Sequence, residues 1–389
     1  MISFKTFLSE QVEEGQKLKH ITHAEDRPLQ SGNSGYDHAR SVLHKVHEHI
    51  KSGEHNSHVS MKYDGSPSIV FGHHPENGKF FVASKSAFNK NPKINHTDAD
   101  IEKNHGHAPG LVHKLKSALH HLPKVAPKKG VYQGDMMYTH DDLEHHKDGK
   151  VSFTPNTIKY TAHGDEANRI KKSKMGVVVH TQYHGNDIHS MKSDPHPDTH
   201  NFKHHKDVWT KDVSHDTSKI HYSQADQEAF HHHMNAAHEI HTKHGSTMYK
   251  NTEKHQNSGH LENYINHTVR TGEIPNHEGL KNHIQSKYEK EASKLKTPAS
   301  QEKKMKESKE HTDHIETHKN DYNRMFEMHH HLQKAKDILV HNLNKHTDLE
   351  HHIGDKKTDP EGFVAHHEGQ PTKLVNRKEF SRANLLKVR

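Results

Sequence analysis

Apolar residues in this chain fall into short runs whose period changes once along its length. Val59 and Met61 alternate with polar neighbours, a polar turn follows, and Ile69, Val70 and Phe71 resume the pattern, which predicts strand, tight turn, strand. A further strand is expected over residues 79–86, ending in Ser84-Lys85-Ser86, and another over residues 130–138. The continuous apolar run from Met175 to Tyr183 has the character of a buried strand, and Val208-Trp209 suggests one more strand or loop of the same core. From about Ser223 the period becomes helical. Phe230, Met234, Ala237 and His241 share one face, and so do Tyr322, Met325, Met328, Leu332, Ala335, Leu339 and Leu343. Both stripes are narrow and suit a two- or three-helix bundle or a coiled-coil hairpin. Residues 286–320, mostly Lys, Glu, Ser and His, read as a solvated helix or a flexible linker. Upstream, a polar, turn-rich stretch over residues 21–35 precedes a helix over about 36–51. The expected fold class is α+β.

Composition limits how densely this can pack. The chain has 389 residues, enough for two domains, yet only 28% are hydrophobic. With a mean hydropathy of −1.16 it calls for one compact core and long, thinly packed helical parts. The formal net charge of +6 is compatible with a polyanionic partner. Histidine is the anomaly: 52 residues, against 50 Asp and Glu together, so mild acid would make the chain strongly cationic. The clusters His231-His232-His233, His238, His241, His244 and His329-His330-His331 are read as solvated surface, with adventitious Zn²⁺ or Ni²⁺ binding. His238-Glu239-Ile240-His241 is one residue short of the zinc-protease spacing, so its histidines are not one full turn apart. The absence of cysteine excludes disulfides and thiolate metal sites. No apolar run is long enough for a membrane span or a secretory leader, and no membrane partner is expected.

The chemistry centres on Lys62-Tyr63-Asp64-Gly65. A lysine held beside a tight Asp-Gly turn, placed next to other cations in a cleft, can lose its proton and serve as a nucleophile, although the same four residues also make an ordinary surface hairpin. The segment resembles the Lys-x-Asp-Gly motif of the covalent nucleotidyltransferases (DNA ligases, RNA ligases and capping enzymes), and the segments that follow it do so in order. Lys85 stands where that family places a cation on the nucleotide, and Gly134-Asp135 resembles its Gly-Glu segment with a shorter carboxylate. Tyr183 or His180 stands where an aromatic ring stacks on the base. Pro360-Glu361-Gly362-Phe363-Val364 matches the strand whose glutamate binds the metal. Thr372-Lys373-Leu374-Val375 resembles the final Lys-x-Lys strand, with Val375 replacing the second lysine and Arg377 or Lys378 as candidates to compensate.

The resemblance covers about half the chain, in two pieces, and is similar also to a phage-encoded ligase-like family over residues 22–160. It implies a ligase-type nucleotidyltransferase core of antiparallel sheets, with ATP and Mg²⁺ as cofactors. Lys62 would be the nucleophile that becomes lysyl-AMP. Asp64, Gly65, Lys85, Asp135, Tyr183 and Lys373 would bind nucleotide, and Asp135 and Glu361 the metal. The expected organisation is a segment over residues 1–20, a first core part over 21–222, a helical insertion over 223–350 and C-terminal core strands over 351–389. No oligonucleotide-binding barrel is expected after Lys373, which favours an enzyme acting on RNA ends over a DNA ligase. The first ten residues, with Phe4, Phe7 and Leu8 on one face and the triplet Leu8-Ser9-Glu10, resemble the capsid-targeting peptides of large tailed phages; a first helix docked on the core reads equally well. That resemblance implies prohead components and a prohead protease as partners, and a location in the host cytoplasm or the virion interior. The rival readings are a nucleic-acid-binding internal head protein that has lost catalysis, and a nucleotidyltransferase that modifies a protein or small molecule.

Overall fold

The computed structural model describes residues 21–53, 59–195, 197–253, 257–367 and 369–377, so the candidate targeting peptide and Lys378 lie outside the described residues. The chain is α+β and divides into two units, one built from residues 60–215 and 347–361, the other from residues 21–59, 216–346 and 362–377.

Strand β1 (Val59–Met61) leads into the first unit, which carries two sheets. Their strands are β2 (Ser68–His73), β3 (Phe80–Ala83), β4 (Val131–Thr139), β5 (Glu144–His145), β6 (Val151–Phe153), β7 (Lys159–Ala162), β8 (Met175–His184), β9 (Lys192–Asp194), β10 (Val208–Asp212), β11 (Glu350–Ile353) and β12 (Lys356–Thr358). One sheet has the order β10-β8-β4-β2-β3, with β9 against β8; the other has the order β12-β11-β7-β6-β5. The pairings are antiparallel except β8–β10, where Met175 pairs with Val208 in parallel, so the expected all-antiparallel core is corrected at that edge. Among the described residues neither sheet closes into a barrel.

β8 is apolar on both sides because both faces of its sheet are covered. Val177 and Val179 join Ile69, Phe71 and Met136 under two helices, Asp98–His105 and Pro109–His121, through Ile101, Leu115 and Ala118. Val70, Phe81, Val131 and Tyr183 form a second cluster. An aromatic chain links the sheets: Tyr138 on β4 to Phe153 on β6 at 4.7 Å between ring centroids, and Phe153 to Tyr160 on β7 at 5.7 Å.

The second unit holds the helix α1 (Arg27–Ser52) and, after α2 and α3 named above and α4 (Gly164–Lys172) of the first unit, the helices α5 (Gln224–Glu253), α6 (Asn257–Thr271), α7 (His277–Ala292), α8 (Pro298–Thr317) and α9 (Lys319–Leu343). The hairpin β13 (Phe363–His367) and β14 (Gln370–Leu374) also belongs to it. The predicted stripes are the packed faces: Phe230, Met234 and Ala237 on α5, and Met328, Leu332, Ala335 and Leu339 on α9, are all buried. The helices do not stand apart as a separate insertion. α1 offers Val42, Leu43, Val46 and Ile50 as a buried stripe and packs on α5, α6 and α9. Most of residues 286–320 is helical, in the end of α7, in α8 and in the first residues of α9, rather than a flexible linker.

The turn-rich stretch before α1 has a structural task. Glu25 and Lys336 form an ion pair at 2.6 Å with both side chains fully buried. Asp26 accepts two bonds from Arg377 Nη1, at 3.0 and 2.9 Å, and one from His329 at 2.8 Å. Burial opposes ionisation of Asp26, but Arg377 and His329 outweigh it and hold the carboxyl well below the usual range.

Candidate functional site

The loop between β1 and β2 is pinned onto β4. Ser66 N–H donates to Met136 O at 2.9 Å, and Met136 N–H donates back to Pro67 O at 3.0 Å. Gly65 has to be glycine here: a Cβ would come 2.5 Å from the Asp135 Cβ and 3.2 Å from Met136 O. Lys114, on α3, donates to Ser66 O at 3.0 Å and holds the same loop from outside.

Asp64 anchors that loop to the start of β7. Its carboxylate accepts from Asn156 Nδ2 at 2.8 Å, Thr157 N–H at 2.7 Å and Ile158 N–H at 3.0 Å. Its own N–H donates to the Tyr160 hydroxyl at 2.6 Å. The structure therefore places Asp64 as a fastener between two segments, with three donors on its oxygens. Asn156 and Tyr160 were not singled out from the sequence.

These contacts fix Lys62 inside the unit. Lys62 is 4% exposed, and its ammonium donates to the Glu361 carboxylate, 5% exposed and 299 residues further along the chain. Burial pulls the Lys62 pKa below its ordinary value; Glu361, Asp64 and Asp135 pull the other way without overcoming it. Asp135, 3% exposed, sits on β4 opposite Ser68. Its Oδ1 has no hydrogen-bond partner among the described residues.

His180 approaches Asp135 through a β-bulge. Gln133 pairs with Thr181 and Gly134 with Val179, so His180 is the extra residue of β8. Its Nε2 lies 3.6 Å from Asp135 Oδ1 while Nδ1 shares a hydrogen bond with the Thr181 hydroxyl at 2.8 Å. The bulge turns a strand residue toward the carboxylate, a geometry the run Val177-Val178-Val179-His180 does not announce.

The remaining predicted residues divide. Lys85 follows β3 by two residues, at the end of the sheet where Ser68 pairs with Asp135, and is half-buried. Tyr183 is 9% exposed, packed on Phe88 at 4.5 Å between centroids, with its hydroxyl on Gln133. That ring packs in the core cluster with Val70, Phe81 and Val131. Lys373 belongs to the other unit, on β14, where its N–H donates to Thr22 O at 2.9 Å. Arg377 is committed to Asp26 and Asn266.

Two of the histidines expected at the surface are structural: His329 binds Asp26, and His241 stacks on Tyr36 at 3.9 Å between centroids. His47, on α1, is fully buried as well, with its Nδ1 2.8 Å from the Tyr222 hydroxyl. His232 and His330 are exposed, as expected.

Compared with known proteins, the chain matches the model of a family described as a family of unknown function, DUF6267, over residues 18–389. No curated protein and no solved structure matches it.

Proposed function

The chain belongs to the DUF6267 family, and we propose that it is a ligase-like nucleotidyltransferase that carries AMP on Lys62 and acts on nucleic acid ends, RNA ends in preference to DNA. The observation that supports this most is the buried Lys62–Glu361 pair: a lysine whose charge is disfavoured by burial, hydrogen-bonded to a carboxylate, with a second carboxylate, Asp135, within electrostatic reach.

In the first step a neutral Lys62 Nζ attacks the α-phosphorus of ATP. The P–N bond forms as the bond from that phosphorus to the bridging oxygen breaks, and pyrophosphate leaves with the electron pair. Glu361, already bonded to Nζ, is the group through which Lys62 sheds its proton. Lys85, at the same sheet end as Asp135, supplies positive charge for the phosphates. Asp135 and Glu361 are hard oxygen donors, and Asp135 Oδ1 has no hydrogen bond to compete with a cation, so the pair fits Mg²⁺. Mg²⁺ would neutralise charge on the transferring phosphoryl group. The nucleotidyl group then passes to a 5′-phosphate, and a 3′-hydroxyl displaces AMP to form the phosphodiester.

The second reading is a nucleic-acid-binding protein without catalysis. The observation in its favour is that Tyr183, the expected base platform, lies in the core. Incubation with α-labelled ATP and Mg²⁺ separates the two: an acid-labile covalent adduct supports the enzyme, and nucleic-acid binding without any adduct supports its rival.

A further inference from the structure

We propose, on the reading that Lys62 takes ATP, that Ser68 is a further nucleotide-binding residue, whose hydroxyl donates to a phosphate oxygen of ATP beside Lys85. The site has a buried floor and a reachable edge. Lys62 and Asp135 are buried, whereas Ser68 and Lys85 are half-buried, so these last are the groups that an incoming ligand meets. Ser68 pairs directly with Asp135 across β2 and β4, and the two side chains leave the sheet on one face. On the other side of β2, the register that sets Val70 opposite Ala83 runs on toward Ser68 and Lys85, and the turn Lys85–Phe88 packs on β2. A cation, a hydroxyl and a carboxylate therefore follow one another across three strands at one end of the sheet.

The hydroxyl is oriented from behind. Gln133, 1% exposed, stands two residues before Asp135 on the same face of β4. Its Oε1 accepts from the Tyr183 hydroxyl, and its Nε2 donates to Ser68 Oγ at 3.0 Å. The tyrosine fixes which end of the amide faces Ser68. Ser68 Oγ thus receives one hydrogen bond and keeps its own proton to give, and among the described residues no acceptor takes that proton. The hydroxyls of Ser84 and Ser86, next to Lys85, are instead bonded to each other at 2.8 Å.

A hydroxyl proton with nowhere to go, on the side of the sheet end where Lys85 stands, suits an anionic oxygen with several lone pairs, which is what a phosphate offers. The carboxylate on the other side, Asp135, repels such an oxygen unless a cation lies between them, which leaves that side to Mg²⁺. Gln133 and Tyr183 act through Ser68 and are positioning residues.

The test is calorimetric titration of the full chain with ATP, 2′-deoxy-ATP and adenosine in the presence of Mg²⁺, with circular dichroism to verify the fold of each variant. Ser68→Ala is expected to weaken ATP and 2′-deoxy-ATP alike by about tenfold and to leave adenosine unchanged. Ser68→Thr should retain the wild-type affinity, because it restores the hydroxyl. Tyr183→Phe should weaken ATP by about threefold, by freeing the Gln133 amide to turn. Ser68→Cys, a near-isostere with a weak donor, gives the same comparison if Ser68→Ala fails to fold. A folded Ser68→Ala that binds ATP as the wild type does overturns the proposal, and so does a loss confined to ATP and absent from 2′-deoxy-ATP, which would place the hydroxyl on the ribose. A wild-type chain that binds no ATP overturns both the Ser68 contact and the Lys62 chemistry. A wild type that binds ATP, loses it in Ser68→Ala and yet forms no adduct supports the contact and overturns the covalent step alone.

Discussion

Lys62 and Glu361, 299 residues apart in the chain, meet as a buried ion pair. Removing both charges from water is costly, and a buried pair seldom adds net stability over an apolar pair of similar volume. Its presence makes sense if the lysine is wanted for its amine and the glutamate for its oxygens. Lys62→Ala and Glu361→Ala are each expected to lower stability by about 3–5 kcal/mol, because each strands the partner's charge. Lys62→Met combined with Glu361→Leu should recover most of that loss and remain inactive. Chemical denaturation with a labelling assay checks both halves.

Lys62→Arg should keep the pair and lose the chemistry. A guanidinium stays protonated in proteins and cannot attack phosphorus, whereas it can still bond to Glu361. The expected outcome is near-normal stability with no covalent labelling.

Asp135→Asn preserves shape and removes one charge facing the nucleophile. The labelling rate is expected to fall by about a hundredfold or more, and to require much higher Mg²⁺. Asp64→Asn and Tyr160→Phe should instead act through the loop. Each breaks hydrogen bonds that tie the Lys62 turn to residues 156–160, with an expected cost of about 1–3 kcal/mol in stability. A Mg²⁺ titration of rates alongside denaturation curves separates the two classes.

How much of this was legible in the sequence depends on the range of the contact. Lys62, Asp135 and Glu361 drew attention because they sit in short local segments flanked by strand patterns, and the structure buries all three. The helix stripes were visible because their period is local. Asp64 read as a nucleotide ligand because its partners, Thr157 and Ile158, are more than ninety residues away. The buried Glu25–Lys336 pair read as a polar loop for the same reason: a charged residue carries no mark that its opposite awaits it 311 residues later. Histidine burial was illegible because an imidazole suits a core or a surface equally well. The helices over residues 224–343 read as an insertion because nothing local says that α1 packs on α5, α6 and α9. Deleting residues 224–345 should therefore expose Val42, Leu43 and Val46 and give an insoluble protein.

Acid should unfold the protein through its neutral buried histidines. His351, buried with its ring 5.0 Å from that of Tyr160, has its pKa pushed down to about 4 by burial and by neighbouring His352. Between the ordinary 6.5 and that value the unfolded chain binds the proton and the folded chain does not, so stability is lost as pH falls through this window. The full difference corresponds to about 3 kcal/mol. His351→Phe should flatten the fall in melting temperature between about pH 6.5 and 4 relative to the wild type.

The central claim is that Lys62 becomes covalently bonded to a nucleotide, and peptide mapping by mass spectrometry tests it most directly. After incubation with ATP and Mg²⁺ under non-acidic conditions, the peptide containing Lys62 should gain the mass of one adenylate, pyrophosphate should appear in equal amount, and both should be absent from Lys62→Arg. An adenylate on any other residue, or a full-length folded protein that carries none, would contradict the account.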